Sequence, residues 1–281
     1  VIYQFSMKVV LLFLVFLFGV VVCSNKRVLV WMCLEVCGGN DMSIASNLQQ
    51  IQDNSDILSS VAFEKYNLGP NSTLVANNLT EVSSTIQSFG LETWPMVSSY
   101  PYPPQFIVWM REVFKNPQPF IDSCISEAQY YGYTGFNIDW EPVYGATSED
   151  AILYADFINT LSTQLHQHNI KVSVDFATWS AIWNVTALAG TSVDYMIDMS
   201  TYTNSDVSFA SQLELAVEEV GIDKLGVGLE TVNAETGVPL RPFQVQWRIN
   251  QIESYSCNEI DIWDEPIPEF WWDLLADFVN S

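Results

Sequence analysis

Short runs of near-continuous hydrophobicity alternate along this chain with longer stretches whose apolar residues recur at helical spacing. The first run, Val28–Glu35 (VLVWMCLE), has the character of a strand covered on both faces. Ile57–Glu64 and Trp94–Tyr100 predict the second and third strands, and Phe136–Glu141 (FNIDWE) the fourth. Lys171–Phe176, Tyr195–Tyr202, Lys224–Glu230 and Ile260–Trp263 bring the set to eight. Between the fourth and fifth runs, Leu153, Phe157, Ile158, Leu161 and Leu165 make one apolar stripe. Ser148 is its expected cap, Glu149 and Asp150 suit the first turn, and Asn169 ends it. Pro242–Cys257 and Pro268–Val279 predict helices on either side of the last strand. Strand–helix alternation builds a parallel sheet, and eight units close it. The expected fold class is therefore α/β, a (β/α)8 TIM barrel forming a single domain over residues 25–281. No Pro/Ser-rich linker or repeat breaks the pattern. Tyr100–Pro104 (YPYPP) follows the third strand as a rigid aromatic loop, and such loops lie on the active face of a barrel.

The pattern differs at the N-terminus. Val9–Val22 is one apolar run, preceded by Lys8 and followed by the small-residue exit Cys23–Ser24. This predicts upstream residues and a signal peptide over 1–24, with Met7 as the start and cleavage near Ser24. The run is short for a spanning helix, which needs roughly 20 apolar residues; an uncleaved anchor is the alternative. The mature protein is expected to be secreted or lysosomal and free of the membrane. Secretion leaves Cys33, Cys37, Cys124 and Cys257 as disulfides or buried thiols, with the connectivity open. Cys33 and Cys37 lack the His or CxxC partner of a zinc site, so no metal is expected. Asn71, Asn78 and Asn184 each begin a glycosylation sequon.

Composition narrows the partners. Asp and Glu total 33 against 10 Lys and Arg, a formal charge of −23 over 281 residues. That balance excludes a nucleic-acid binder, which needs basic residues against phosphates, and an anionic membrane surface. An apolar share of 49% with ten Trp excludes a disordered chain. Many acids and aromatics suit a neutral polar ligand such as a sugar.

Gly135–Pro142 (GFNIDWEP) carries the densest chemistry. Successive strand side chains point to opposite faces, so Phe136, Ile138 and Trp140 face the helices while Asn137, Asp139 and Glu141 face the lumen. Polar groups in a barrel interior are costly unless they bond to each other or to a ligand. Carboxyls at i and i+2 lie close enough to share a proton, which drives their titrations apart. One stays protonated while the other is ionised, the division a general acid requires. Glu141 comes last, at the C-terminal rim where barrel enzymes act. Asp175 and Asp198 also sit on interior strands, so both are candidate site residues.

This segment resembles the fourth-strand signature of glycoside hydrolase family 18, the family of chitinases, chitobiases and some endo-β-N-acetylglucosaminidases. The signature reads D-G-x-D-x-D-x-E, and the chain has Thr134–Glu141 (TGFNIDWE). Thr134 replaces the first Asp and Asn137 the middle one; the latter is similar to the lysosomal di-N-acetylchitobiase branch, G-x-N-I-D-x-E. Val174–Ser180 (VDFATWS) is similar to the corresponding chitobiase segment. Asp198–Tyr202 (DMSTY) takes the place of the sixth-strand M-x-Y-D motif, with Ser200 for Met and Thr203 for Asp. The resemblance implies retaining hydrolysis of β-linked N-acetylglucosamine in chitin oligomers, chitobiose or an N-glycan core. It implies Glu141 as general acid/base, Asp139 as the group orienting the substrate's N-acetyl, and Tyr202 as donor to its carbonyl. That N-acetyl group, rather than the enzyme, would be the nucleophile, through a cyclic oxazolinium intermediate. Trp263 is similar to the Trp that floors the reactive-sugar subsite, and Asn137, Asp175, Asp198 and Glu230 complete the substrate-binding candidates. No cofactor is expected, and the protein is expected to act as a monomer.

Two other readings stay open. Glu141 ends the fourth strand and Glu230 the seventh, where another barrel clan carries acid/base and nucleophile. Such a two-carboxylate retaining site needs a separation of roughly 5–5.5 Å. That clan usually has Asn before its fourth-strand Glu, where this chain has Trp140. The remaining reading is a non-catalytic chitooligosaccharide-binding lectin, although family 18-like lectins usually lose the Glu that this chain keeps.

Overall fold

The computed structural model describes residues 26–34, 43–233 and 236–281. The expected signal segment, Glu35 and Cys37 lie outside the described residues. The strands are β1 (Arg27–Met32), β2 (Ser60–Gly69), β3 (Thr73–Ala76), β4 (Glu92–Ser98), β5 (Gly135–Asp139), β6 (Lys171–Phe176), β7 (Tyr195–Asp198), β8 (Leu225–Glu230) and β9 (Glu259–Trp263). All except β3 run parallel in the order β1-β9-β8-β7-β6-β5-β4-β2, and β1 pairs with β2 to close the ring. The helices are α1 (Ile44–Asp53), α2 (Ser83–Ser88), α3 (Phe106–Lys115), α4 (Gln118–Tyr131), α5 (Ser148–His166), α6 (Val185–Ala189), α7 (Asp206–Val220), α8 (Pro242–Ser254) and α9 (Phe270–Asn280). The molecule is a (β/α)8 barrel.

All eight expected strands form, with their ends moved. Lys171–Phe176 matches its strand, whereas the second run starts three residues early, because Ile57 and Leu58 belong to the turn after α1. β2 also continues past Glu64, bulges, and pairs antiparallel with β3, a hairpin the hydrophobic pattern did not separate from its neighbours. The seventh run shortens to Tyr195–Asp198, because a tight turn over Met199–Thr201 takes its last residues. Helix α5 starts at Ser148, one residue earlier than expected, because Thr147 rather than Ser148 is the cap. Its hydroxyl accepts from the Asp150 amide (3.2 Å) while the Asp150 carboxylate accepts from the Thr147 amide (2.9 Å).

The main core lies between sheet and helices. Phe136, Ile138 and Trp140 are each 0% exposed, as strand alternation requires. Trp140 stacks on Phe157 of α5, with centroids 5.2 Å apart and planes 5° from parallel. This contact ties the outer face of β5 to its crossover helix and holds the chain at the point where it leaves the sheet. Cys33 is disulfide-bonded, whereas Cys124 and Cys257 are free and buried.

Candidate active site

The lumen fills from the bottom upward. At the N-terminal ends of the strands, Arg27 bridges Glu92 (2.8 Å) and Glu259 (3.3 Å), and Lys171 also bridges Glu92 (3.2 Å). Above this ionic floor, Leu29, Trp31, Ala62, Trp94, Met96 and Ile197 form a second apolar cluster inside the strands. Asp261 is fully buried beside it, where glycine at 226 leaves room: a Cβ there would stand 2.0 Å from the Asp261 carboxylate.

The next layer is polar and belongs mostly to β5. Asn137 is 0% exposed and uses its whole amide. Its Oδ1 accepts from Trp31 Nε1 (3.3 Å), and its Nδ2 donates to Ser173 Oγ (3.1 Å) and Asp175 Oδ1 (2.8 Å). Two residues on, Asp139 Oδ2 accepts from Ser98 Oγ (3.3 Å), and among the described residues no N–H or hydroxyl reaches its Oδ1. The strand ends there, and Glu141 stands one step beyond it. Its amide donates to Ser99 Oγ (3.0 Å), and its Oε1 accepts from the Tyr102 hydroxyl (3.1 Å).

A cavity of about 840 Å³ opens above these residues at the C-terminal face. Asp139, Glu141, Asp175, Tyr202, Glu230 and Trp263 all line it, so six of the eight expected site residues meet there. Asn137 lies just beneath, linked to two wall residues, Trp31 and Asp175. Glu230 is buried and accepts from Asn233 Nδ2 (3.2 Å). Tyr202 reaches the cavity because β8 has glycine beside it: a Cβ at Gly228 would stand 2.6 Å from the Tyr202 ring. Trp263 packs tilted against Trp31, with centroids 6.1 Å apart.

Asp198 is placed differently. Its Oδ1 accepts from the Ser200 amide (2.8 Å), capping the turn over Met199–Thr201 that delivers Tyr202. It does not line the cavity. Its burial pushes its carboxyl up to about 7, opposed by the Ser200 amide and hydroxyl. Tyr102 and Ser98 also line the cavity and Ser99 holds the Glu141 amide, three contacts that sequence reasoning did not single out, while Trp179 belongs to the VDFATWS segment already noted. The YPYPP loop was the available signal for Tyr102; Trp179, 58% exposed on the cavity wall, stands in the segment after β6.

Electrostatics follows from burial. Asp139 is pushed well above the usual carboxylate range by burial, then by the nearby charges of Glu141 and Asp175. Burial raises Glu141 as well, opposed by hydrogen bonds from Tyr102 and Asp139. The two carboxyls bias one another, Glu141 raising Asp139 and Asp139 lowering Glu141, so their titrations are driven apart. Burial also lifts Asp175, against the Asn137 amide. No Lys, Arg or His lines the cavity among the described residues. The arrangement can hold one proton between two carboxyls at the edge of an aromatic-walled cleft, and pass it to a ligand.

No family model matches this chain, and no curated protein sequence does. Solved structures share its fold. A chitinase from Chromobacterium violaceum superposes with a TM-score of 0.74 at 14% identity, covering 91% of this chain and 99% of that one. The spore cortex-lytic enzyme SleL of Bacillus megaterium gives 0.74 at 11% identity, covering 90% of this chain and 73% of that one. A class V chitinase from Nicotiana tobaccum gives 0.71 at 12% identity, covering 91% and 99%. At such identities the likeness establishes the barrel fold that these proteins and this chain have in common.

Proposed function

We propose that the protein is a retaining glycoside hydrolase that cleaves β-linked N-acetylglucosamine by substrate-assisted catalysis. The observation that carries this reading is the Asp139–Glu141 pair. Its two carboxyls stand at i and i+2 at the C-terminal end of β5, both lining a cleft with aromatic walls and no basic residue among those described. The fold shared with chitinases and the resemblance of Thr134–Glu141 to their fourth-strand signature support it.

The steps follow from the proton's position. An N-acetyl group entering the cleft offers its amide N–H to Asp139 Oδ1, which accepts from no N–H or hydroxyl among the described residues. That bond favours the ionised form of Asp139, so the shared proton moves to Glu141. Glu141 donates it to the glycosidic oxygen as the N-acetyl carbonyl oxygen attacks C1, and the leaving sugar departs. Tyr202 donates to that carbonyl and fixes its line of attack. Glu141, now ionised, takes a proton from water, which opens the oxazolinium ring at C1 with net retention. Trp263 offers an indole face to the reacting sugar.

Glu230, which lines the same cavity from β8, keeps a second reading in view, with Glu230 as an enzymic nucleophile. Matched oligosaccharides with and without N-acetyl groups separate the two. The proposal predicts hydrolysis of chitooligosaccharides and none of their glucose counterparts. A two-carboxylate enzyme would not need the acetamide, and equal rates on both would defeat the proposal.

The protein is proposed to act as a monomer in the secretory pathway, extracellularly or in lysosomes. The apolar run Val9–Val22, the Cys33 disulfide and the exposure of Asn71, Asn78 and Asn184 support that placement.

A further inference from the structure

The strand signature that this chain resembles has an acid at the position of Asn137, and an amide cannot titrate. The structure sets a carboxyl one strand away. Asp175 is 2% exposed, on β6, and Asn137 Nδ2 is bonded to its Oδ1 at 2.8 Å. Asn137 is itself fixed from two other sides, by Trp31 Nε1 (3.3 Å) and Ser173 Oγ (3.1 Å), so the Asp175 carboxyl is held in one geometry. We propose that Asp175 is the third carboxyl of the catalytic group, standing in for the acid that position 137 lacks, and that it acts through Asp139 and Glu141 rather than by binding substrate. This rests on the glycosidase reading above.

Acidic groups crowd this part of the cavity. Asp139, Glu141 and Asp175 line one cavity, the two aspartates buried and Glu141 half-buried, and no cation lines it among the described residues. Three carboxylates in such a place cannot all ionise at once. The charge of Glu141 raises Asp175, and the charge of Asp175 raises Asp139. Tyr154 on α5, Tyr202 beyond β7 and Asp261 on β9 are the other titratable groups that the charge of Asp175 reaches. All are acids or phenols, so none offsets it. Asp175 is thus a positioning residue whose ionisation decides how tightly the dyad keeps its proton. Asn137 sets its distance without contributing a charge of its own.

The test is the pH profile of kcat/KM on a chitooligosaccharide for wild type, Asp175→Asn, Asn137→Asp and the double exchange. Asp175→Asn removes a negative charge, so the dyad releases its proton sooner. Its alkaline limb should fall by about one pH unit, with kcat at neutral pH down about tenfold and KM within about twofold. Asn137→Asp adds a charge and should move the limb upward, which reads the same coupling if Asp175→Asn does not fold. The double exchange restores the charge count and should return the limb most of the way. A profile that stays in place in both single variants, with KM alone raised, would overturn the inference while leaving the glycosidase reading intact. If wild type hydrolyses none of these substrates, the glycosidase reading has failed. The coupling is then read on the empty protein, by infrared titration of its carboxyls. Asp175→Asn should lower the Asp139 transition, assigned with Asp139→Asn, by about one pH unit; an unmoved transition overturns the inference.

Discussion

On the proposed mechanism, two neighbours from different parts of the chain tune Glu141. Asp139 is its neighbour along the strand; Tyr102 comes from the loop after β4 and reaches Oε1 at 3.1 Å. Tyr102→Phe deletes that hydrogen bond. Because that bond lowers Glu141, its loss should raise the alkaline limb of the kcat/KM profile and reduce kcat about three- to tenfold. A variant with an unchanged pH profile would show that the contact plays no part in turnover. The Asn-x-Asp-x-Glu spacing was legible because strand alternation alone sends these side chains to one face. Tyr102 was not, because a loop contact depends on how the loop folds back, and no periodicity encodes that. Asp198 was misleading for a related reason: interior strand placement shows burial, and a buried carboxyl can serve an amide as well as a ligand.

Among the elements, the strands were the most readable and their ends the least. Near-continuous apolar runs identify strands buried on both faces, but the hydrophobic signal does not change where β7 gives way to the Met199–Thr201 turn. That boundary matters, since the turn carries Tyr202 into the cleft. The β3 hairpin escaped notice because its four residues (TLVA) are mostly exposed and too short to show alternation. Gly228 on β8 links packing to function. A Cβ there would meet the Asp198 carbonyl oxygen at 2.5 Å and the Tyr202 ring at 2.6 Å, and a backbone atom cannot swing away as a flexible side chain can. Gly228→Ala should therefore cost about 1–3 kcal/mol in chemical denaturation, the usual range for overpacking, and lower kcat by displacing Tyr202. Wild-type stability and rate together would contradict this account of how the tyrosine is seated.

For the molecule as a whole, the charge of −23 conceals two kinds of acid. Asp150 is held well below the usual range by the Arg111 guanidinium, and the stability it gives is present above the unfolded pKa and lost as pH falls. Asp139, Asp175 and Asp261 are the reverse, raised by burial, and burial also lifts Glu259 to about 7 and Asp264 to about 6. The folded protein keeps these protons after the unfolded chain has released them, so stability falls as pH rises from about 4 towards 7. Thermal unfolding should give a Tm several degrees higher at pH 5 than at pH 8, and a higher Tm at pH 8 would contradict the burial of these acids. Composition could not tell a surface acid from one inside the barrel; only the strand pattern separated them, and only for β5 to β7. The central claim is that Glu141 and the substrate's own acetamide together cleave a β-N-acetylglucosaminide. Its most direct test is proton NMR of a chitooligosaccharide digest, followed from the first turnovers for wild type and Glu141→Gln. The account predicts β-anomeric product from wild type and a loss of at least about a thousandfold in the variant. An α-anomeric product, or undiminished release by Glu141→Gln, would contradict it.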